Sequence, residues 1–374
     1  MVFPGRDNIE NNMNPNINKK IFDADVDQIP VRKGFGEGLV IAAETNQNIV
    51  GLCADLTEST QMHLFKKKFP ERFLEIGIAE QNMASVASGM AAMGKLPFIT
   101  SYAMFSPGRN WEQIRTTICY NDRKVIIAGS HAGLSVGPDG GTHQALEDIA
   151  ITRVIPNMTV IVPCDAIEAR KATIASAKND VEGGTDTPVY LRLAREKTPI
   201  ITTEDTPFEI GKAQIFFELD TDRFISMKAK ANGGSSTTTF KLNNETHDIR
   251  HDVGIIASGP LLYQALKVAH EYEEKGVAVK VLNLATIKPL DIDAIIALAK
   301  ETNALVTVEE HQTAGGVGSA IAECLSRVYP THIEFVGVED KFGQSGTPAE
   351  LIKHYGVGEE HIREAVAKVL KRKG

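Results

Sequence analysis

Short runs of aliphatic and β-branched residues recur along this chain, each followed by a stretch long enough for a helix. In the first half they are IVGLC (49–53), KVIIAG (124–129), TVIVPC (159–164) and PVYLRL (188–193). In the second half, from about residue 252, they are DVGIIASG, VAVKVLNLAT, ALVTVEE and IEFVGVED. Strands that are apolar on both faces suit a largely parallel sheet with helices covering each side. The expected fold is therefore α/β, with two doubly wound domains: a larger one over 31–202 with a mostly parallel sheet, and a smaller one over 252–374. A length of 374 residues agrees with two or three domains and excludes one small module.

The remaining segments read differently. Residues 1–30, rich in Asn, Asp and Pro without periodicity, are expected to be a mobile lead-in. Residues 203–251 form a linker with a polar insertion that suits a protruding hairpin or a mobile excursion. Small side chains at helical spacing over 80–94 (EQNMASVASGMAAMG) predict a closely packed, buried helix. Net charge is -8, and basic residues are not concentrated before Lys371, Arg372 and Lys373, which argues against general nucleic-acid binding. Without an 18-residue apolar stretch or a signal-peptide pattern, no membrane association is expected and the expected location is cytoplasmic. Cys53, Cys119, Cys164 and Cys324 have no paired spacing and read as small core residues.

Three motifs are weighed against their chemistry. Gly133-Leu134-Ser135-Val136-Gly137 matches a nucleophile-elbow pattern, but Pro138 to Gly141 prolong a loop where the elbow requires a helix. Gly89-x4-Gly94-Lys95 has Leu96 where a phosphate-binding loop needs a hydroxyl, and it ends a helix instead of starting one. His247 and His251 have metal-ligand spacing without a companion Glu, and are expected to be solvated. The loop over 129–144 is more informative: His131, Asp139 and His143 lie among glycines just past a strand's C-terminal end, where open α/β sheets place their sites.

Three segments, FLEIGIAEQNMASVASGMA (73–91), GPDGGTHQALED (137–148) and IPNMTVIVPCDAIEA (155–169), resemble the pyrimidine-binding domain of the transketolase family. LNLATIKPLD and VEEHQTAGGVGSAIAE resemble that family's C-terminal domain. The resemblance implies a transferase that moves a two-carbon ketol unit from a ketose phosphate to an aldose phosphate with thiamine diphosphate. At Glu80 the family carboxylate binds N1′ of the aminopyrimidine, and a proton shared there promotes the imino tautomer that serves as base. Tyr102 and Phe105, with Phe98 as a further candidate, are expected to stack on the pyrimidine, and Asp55 matches a family aspartate at the cofactor site.

By the same resemblance Arg32, Ser59, His131 and Arg195 fall at sugar-phosphate positions, while Asp139 and His143 contact donor hydroxyls and the reacting carbonyl region. The family's Gly-Asp-Gly…Asn motif, which holds the diphosphate and Mg2+, is missing. This chain therefore reads as the C-terminal subunit of a split transketolase, with no metal ligands of its own. A separate N-terminal subunit is expected to supply them in an assembly such as α2β2. A subunit of 1-deoxyxylulose-5-phosphate synthase or a non-catalytic scaffold are the alternatives.

Overall fold

The computed structural model describes residues 12–218, the backbone of 238–242 and 245–249, and residues 251–373. In the first half the order is β1 (Gln28–Pro30), α1 (Val31–Thr45), β2 (Ile49–Cys53), α2 (His63–Lys68), β3 (Phe73–Glu75), α3 (Glu80–Ala92) and β4 (Leu96–Tyr102). There follow α4 (Trp111–Gln113, continued by a π-helical turn over Ile114–Cys119), β5 (Ile126–Ser130), α5 (Asp148–Arg153), β6 (Thr159–Ile161), α6 (Ala166–Ala177), β7 (Val189–Leu193) and β8 (Lys197–Pro199). The second half runs β9 (Gln214–Glu218), β10 (Thr238–Leu242), β11 (Glu245–Ile249), β12 (Val253–Ala257), α7 (Leu262–Glu274), β13 (Val279–Asn283) and β14 (Thr286–Lys288). It ends with α8 (Ile292–Thr302), β15 (Ala304–Gln312), α9 (Val317–Val328), β16 (His332–Val338), α10 (Pro348–His354) and α11 (Glu359–Lys373).

Two sheets carry the molecule. The larger has the order β14-β6-β7-β5-β4-β2-β3 and is parallel except for its edge strand β14. The smaller has the order β16-β15-β12-β13-β9, with only β9 antiparallel. Both are mixed α/β sheets with mostly parallel pairing, as the apolar runs predict. Strand β14 comes from the second half of the chain yet completes the first sheet, so the two halves are stitched together by backbone hydrogen bonds.

Alternation along each strand sorts the core. On β5, Ile126 and Ala128 face α1 and α6 in one cluster with Phe35, Leu39 and Ala169, while Ile127 joins Met83, Ala84 and Ala87 of α3 on the other face. Helices α1 and α6 approach closely because Gly34 and Gly38 have no side chain; a Cβ on Gly34 would lie 1.8 Å from the Ala166 carbonyl oxygen.

Residues 12–30 correct the expectation of a mobile lead-in; residues 1–11 lie outside the described residues. Ile17, Ile21 and Val26 are buried, Thr203 and Thr206 donate to the Asn16 carbonyl, and β1 pairs antiparallel with β8. Three apolar residues at irregular intervals show no period, yet Ile17 and Ile21 fill a cluster with Cys164, Ile201, Phe216 and Phe217. The polar tract contributes a two-stranded hairpin, β10 paired with β11; the His247 side chain lies outside the described residues.

His251 is buried, not solvated: it lies against Glu218 and Glu301, between which Lys280 Nζ donates at 2.8 Å to each carboxylate. Cys53, Cys119 and Cys164 are buried and Cys324 half-buried, and all four are free thiols. No helix among the described residues is long and apolar enough to cross a membrane.

Candidate active site

Parallel strands release their next residues at a common edge, so side chains distant in sequence meet there. At the C-terminal ends of β2, β4, β5 and β7 stand Asp55, Tyr102, His131 and Arg195, and the N-termini of α1 and α3 bring Arg32 and Glu80. Registers Cys53↔Thr100, Tyr102↔Ser130 and Ser130↔Leu193 set that edge.

His131 is the hub. It is 2% exposed, and its φ of 56° turns the chain sharply out of β5. Its imidazole stacks on Tyr102 with centroids 3.8 Å apart, and Nδ1 lies 2.9 Å from Ser130 Oγ. Nε2 lies 3.4 Å from Arg32 Nη1. Since a guanidinium only donates, Nε2 is the acceptor, which assigns the ring proton to Nδ1. Burial, reinforced by Arg32, Arg195 and His143, lowers the pKa of His131 to about 3, so the ring is neutral. Arg32 is itself lowered, first by burial and then by the neighbouring Arg195 cation. A buried guanidinium with a second cation beside it suits a dianion.

Arg32 Nη1 donates to the Ser59 carbonyl at 2.5 Å. Arg195 donates to the Val136 carbonyl and lies 3.8 Å from Asp139. His143, held by Thr142 Oγ1 at 2.9 Å from Nδ1, stands edge-on to Tyr102 and Phe105 with centroids 6.1 and 5.5 Å away. Arg32, Ser59, His131, Asp139, His143 and Arg195 therefore belong to one wall, with Tyr102 and Phe105 as its aromatic part.

Glu80 begins α3 and is 1% exposed. Its Oε2 accepts from Arg109 Nη1 at 2.7 Å, and its carbonyl accepts from Asn110 Nδ2 at 3.1 Å. The Arg109 guanidinium covers the Phe105 ring at 4.8 Å, which joins the Glu80 carboxylate to the aromatic wall. Sequence reasoning missed Arg109 and Asn110, since only the fold brings residues 29 and 30 positions away onto Glu80.

Two candidates behave differently. Phe98 is fully buried among α1 and β2 residues in the core. It shares a strand face with Tyr102, but four residues earlier lies about 13 Å deeper, so its ring cannot reach a ligand at the strand ends. Asp55 is exposed at φ 58°, its amide donating to Glu75 Oε1 at 2.8 Å, and Glu75 Oε2 accepts from Thr57 Oγ1 at 2.9 Å. Glu75 is a third residue the sequence reading missed.

Ser135 is a poor nucleophile here. It lies in the buried part, Leu134 to Gly137, of a helical turn over Leu134–Asp139, and its amide donates to Glu310 from the second half of the chain.

A buried carboxylate beside aromatic rings suits an aminopyrimidine, which offers a basic ring nitrogen and a flat face. For a metal, the described residues offer one group of three side chains within reach of each other, Glu218, His251 and Glu301, and it lies beside β9 and β13 with Lys280 already between its carboxylates.

Residues 27–200 match the family model for the pyrimidine-binding domain of transketolase, and residues 244–362 that for the transketolase C-terminal domain. The chain is similar to a putative transketolase C-terminal section of Methanocaldococcus jannaschii, with 38% identity over 91% of this chain and 96% of that protein. It is also similar to a 6-deoxy-6-sulfo-D-fructose transketolase subunit of Clostridium sp. (strain MSTE9), with 34% identity over 94% of this chain and 98% of the relative. Among solved structures, a split-gene transketolase described as an inactive β4 tetramer superposes with a TM-score of 0.77 and 38% identity, covering 92% of this chain and all of that one.

Proposed function

The chain belongs to the transketolase family, and from that membership we propose that it is the C-terminal subunit of a split transketolase. In this reading it transfers a two-carbon ketol unit from a ketose phosphate to an aldose phosphate, and is active only with a separate N-terminal subunit. The observation that carries the proposal is the joining of the buried Glu80 carboxylate, through Arg109 and Phe105, to a wall of cations and imidazoles. Family membership implies thiamine diphosphate, for which Glu80, Tyr102 and Phe105 are the residues of this chain that would hold the aminopyrimidine. When bound, that cofactor supplies a carbon nucleophile able to carry the two-carbon unit between sugars. Mg2+ and the diphosphate are assigned to the partner, in an assembly such as α2β2; the four free thiols agree with work in the cytoplasm.

The roles of the residues follow from their chemistry. Arg32 and Arg195, with Ser59 and the neutral His131, bind the substrate phosphate; His131 accepts from Arg32 and so aims that guanidinium. Asp139 and His143 take the sugar hydroxyls and orient the carbonyl. Arg109 fixes one oxygen of Glu80, so the carboxylate is oriented before it shares a proton with a ring nitrogen. The Tyr102 and Phe105 rings keep water away from that proton.

The test is reconstitution: this chain, its candidate N-terminal subunit, thiamine diphosphate and Mg2+, assayed for ketol transfer without carbon dioxide release. Activity is expected only from the mixture, and Glu80→Gln should lower it by a factor of about 10²–10⁴ while the subunits still assemble. Transfer by this chain alone, or a fully active Glu80→Gln complex, would overturn the proposal.

A further inference from the structure

We propose that Gln144 is a positioning residue through which the C-terminal domain shapes the substrate wall; the inference rests on the reading of Asp139 and His143 as part of that wall. Gln144 is 2% exposed and its amide points at three carbonyl oxygens: Leu134 at 3.2 Å, Gly137 at 3.3 Å and Gln344 at 3.0 Å. Three acceptors around one end of the amide assign the nitrogen there, and its two protons serve both edges of a seam. Leu134 and Gly137 belong to the turn that leads into Asp139, whereas Gln344 belongs to a loop of the C-terminal domain.

The seam is tight on both sides of Gln144. A Cβ on Gly141 would lie 2.5 Å from the Gly343 carbonyl oxygen, and one on Gly140 2.6 Å from Ser345 Oγ. Gly140 has φ 79°, and its carbonyl accepts from the amides of His143 at 2.9 Å and Gln144 at 3.2 Å. The loop on the far side is anchored to its own domain, with Tyr355 Oη donating to the Phe342 carbonyl and Gln312 Nε2 to that of Lys341, both at 2.8 Å. The loop over 341–347 puts none of its side chains among the wall residues described above, yet it sets the backbone path that carries Asp139 and His143. Gln144 is the side chain that hydrogen-bonds to both.

Two remote substitutions test the same link from its other end. Gly343→Ala would place a methyl 1.7 Å from Gln144 Oε1, and Tyr355→Phe removes one anchor of the loop. Hydrogen exchange on the full chain should show the amides over 137–143 exchanging about tenfold faster in Gln144→Leu and Gly343→Ala, with helix α3 unchanged. In the complex with the N-terminal subunit, KM for the donor sugar phosphate should rise about tenfold with kcat within about twofold, because ground-state contacts are loosened. The Gln144→Leu/Gly343→Ala double variant should be no worse than Gln144→Leu alone, since both changes break one link.

Unchanged exchange over 137–143 in Gln144→Leu overturns the proposal, as does an unchanged KM in a complex where His143→Ala raises it. If His143→Ala also leaves KM unchanged, the wall assignment itself has failed. Should Gln144→Leu not fold, Tyr355→Phe carries the test, with the same signature expected at smaller size and its absence overturning the proposal.

Discussion

At His131 three constraints converge on one residue. The φ of 56° is the left-handed region, which Asn and His tolerate better than branched residues do. The ring is buried, stacked on Tyr102, and hydrogen-bonded at both nitrogens. With a folded pKa of about 3 against an ordinary 6.5, the unfolded chain takes up a proton that the folded chain refuses. The stability His131 contributes is therefore complete above about pH 6.5 and is lost progressively as pH falls towards 3. His131→Asn keeps the backbone conformation and does not titrate. It should cost about 1 kcal/mol at pH 7.5 through the lost stack, and the variant's Tm deficit relative to wild type should vanish or reverse by pH 5. A variant as far below wild type at pH 5 as at pH 7.5 would refute this. Glu80, His131 and His143 were picked out from the sequence by the motifs they stand in, and the fold sets His131 and His143 on one wall with Glu80 joined to it through Arg109 and Phe105. Arg109 and Glu75 were not picked out, because what matters about them is a contact, and no local pattern encodes it.

Elements were legible where their signal was local. The apolar runs became β2, β5, β6, β7, β12, β13, β15 and β16, and the small-residue segment became α3. Strand β4 was hidden, since PFITSYAMF drew a reading for its aromatic residues, whereas pairing between β2 and β5 makes most of it a central strand. Close packing of α1 on α6 gives a direct test. Gly34→Val should destabilise by about 1–3 kcal/mol or more in chemical denaturation, because the first added carbon already overlaps the Ala166 carbonyl; a loss within error would show that the helices can separate freely. The N-terminus of α9 gives another. Glu309 is 2% exposed and accepts from the Val317 and Gly318 amides at 2.6 and 2.8 Å. Burial raises its pKa to about 7, against the opposing pull of those amides. Its stabilising contribution is thus present below about pH 4.5 and is lost as pH rises through 7. Glu309→Gln does not titrate, so its stability relative to wild type should improve from pH 4.5 to pH 8 in paired melts; a constant gap would contradict the burial argument.

For the whole molecule, the candidate site is an edge that the described residues leave open. Ile78, two residues before Glu80, is 74% exposed, and Phe342, beside the seam at Gln144, is 87% exposed. Large apolar side chains held out, one two residues from the buried Glu80 and one beside the seam, suit a surface that a partner covers. Ile78→Asp should leave the melting of the isolated chain unchanged and weaken assembly with the N-terminal subunit by about tenfold or more in sedimentation experiments; normal assembly would place the partner elsewhere. The sequence by itself determined the α/β class, the parallel strands and the residue types of the site, because hydrophobic periodicity and chemical motifs act over a few residues. Only the tertiary structure decided which of those residues meet. The order β7-β5-β4-β2 sets Arg195, His131, Tyr102 and Asp55 along one edge, β14 stitches the second half of the chain into the first sheet, and residues 12–30 pack between them. Those outcomes depend on pairing across tens to hundreds of residues, where many arrangements satisfy the same local pattern and total burial selects one.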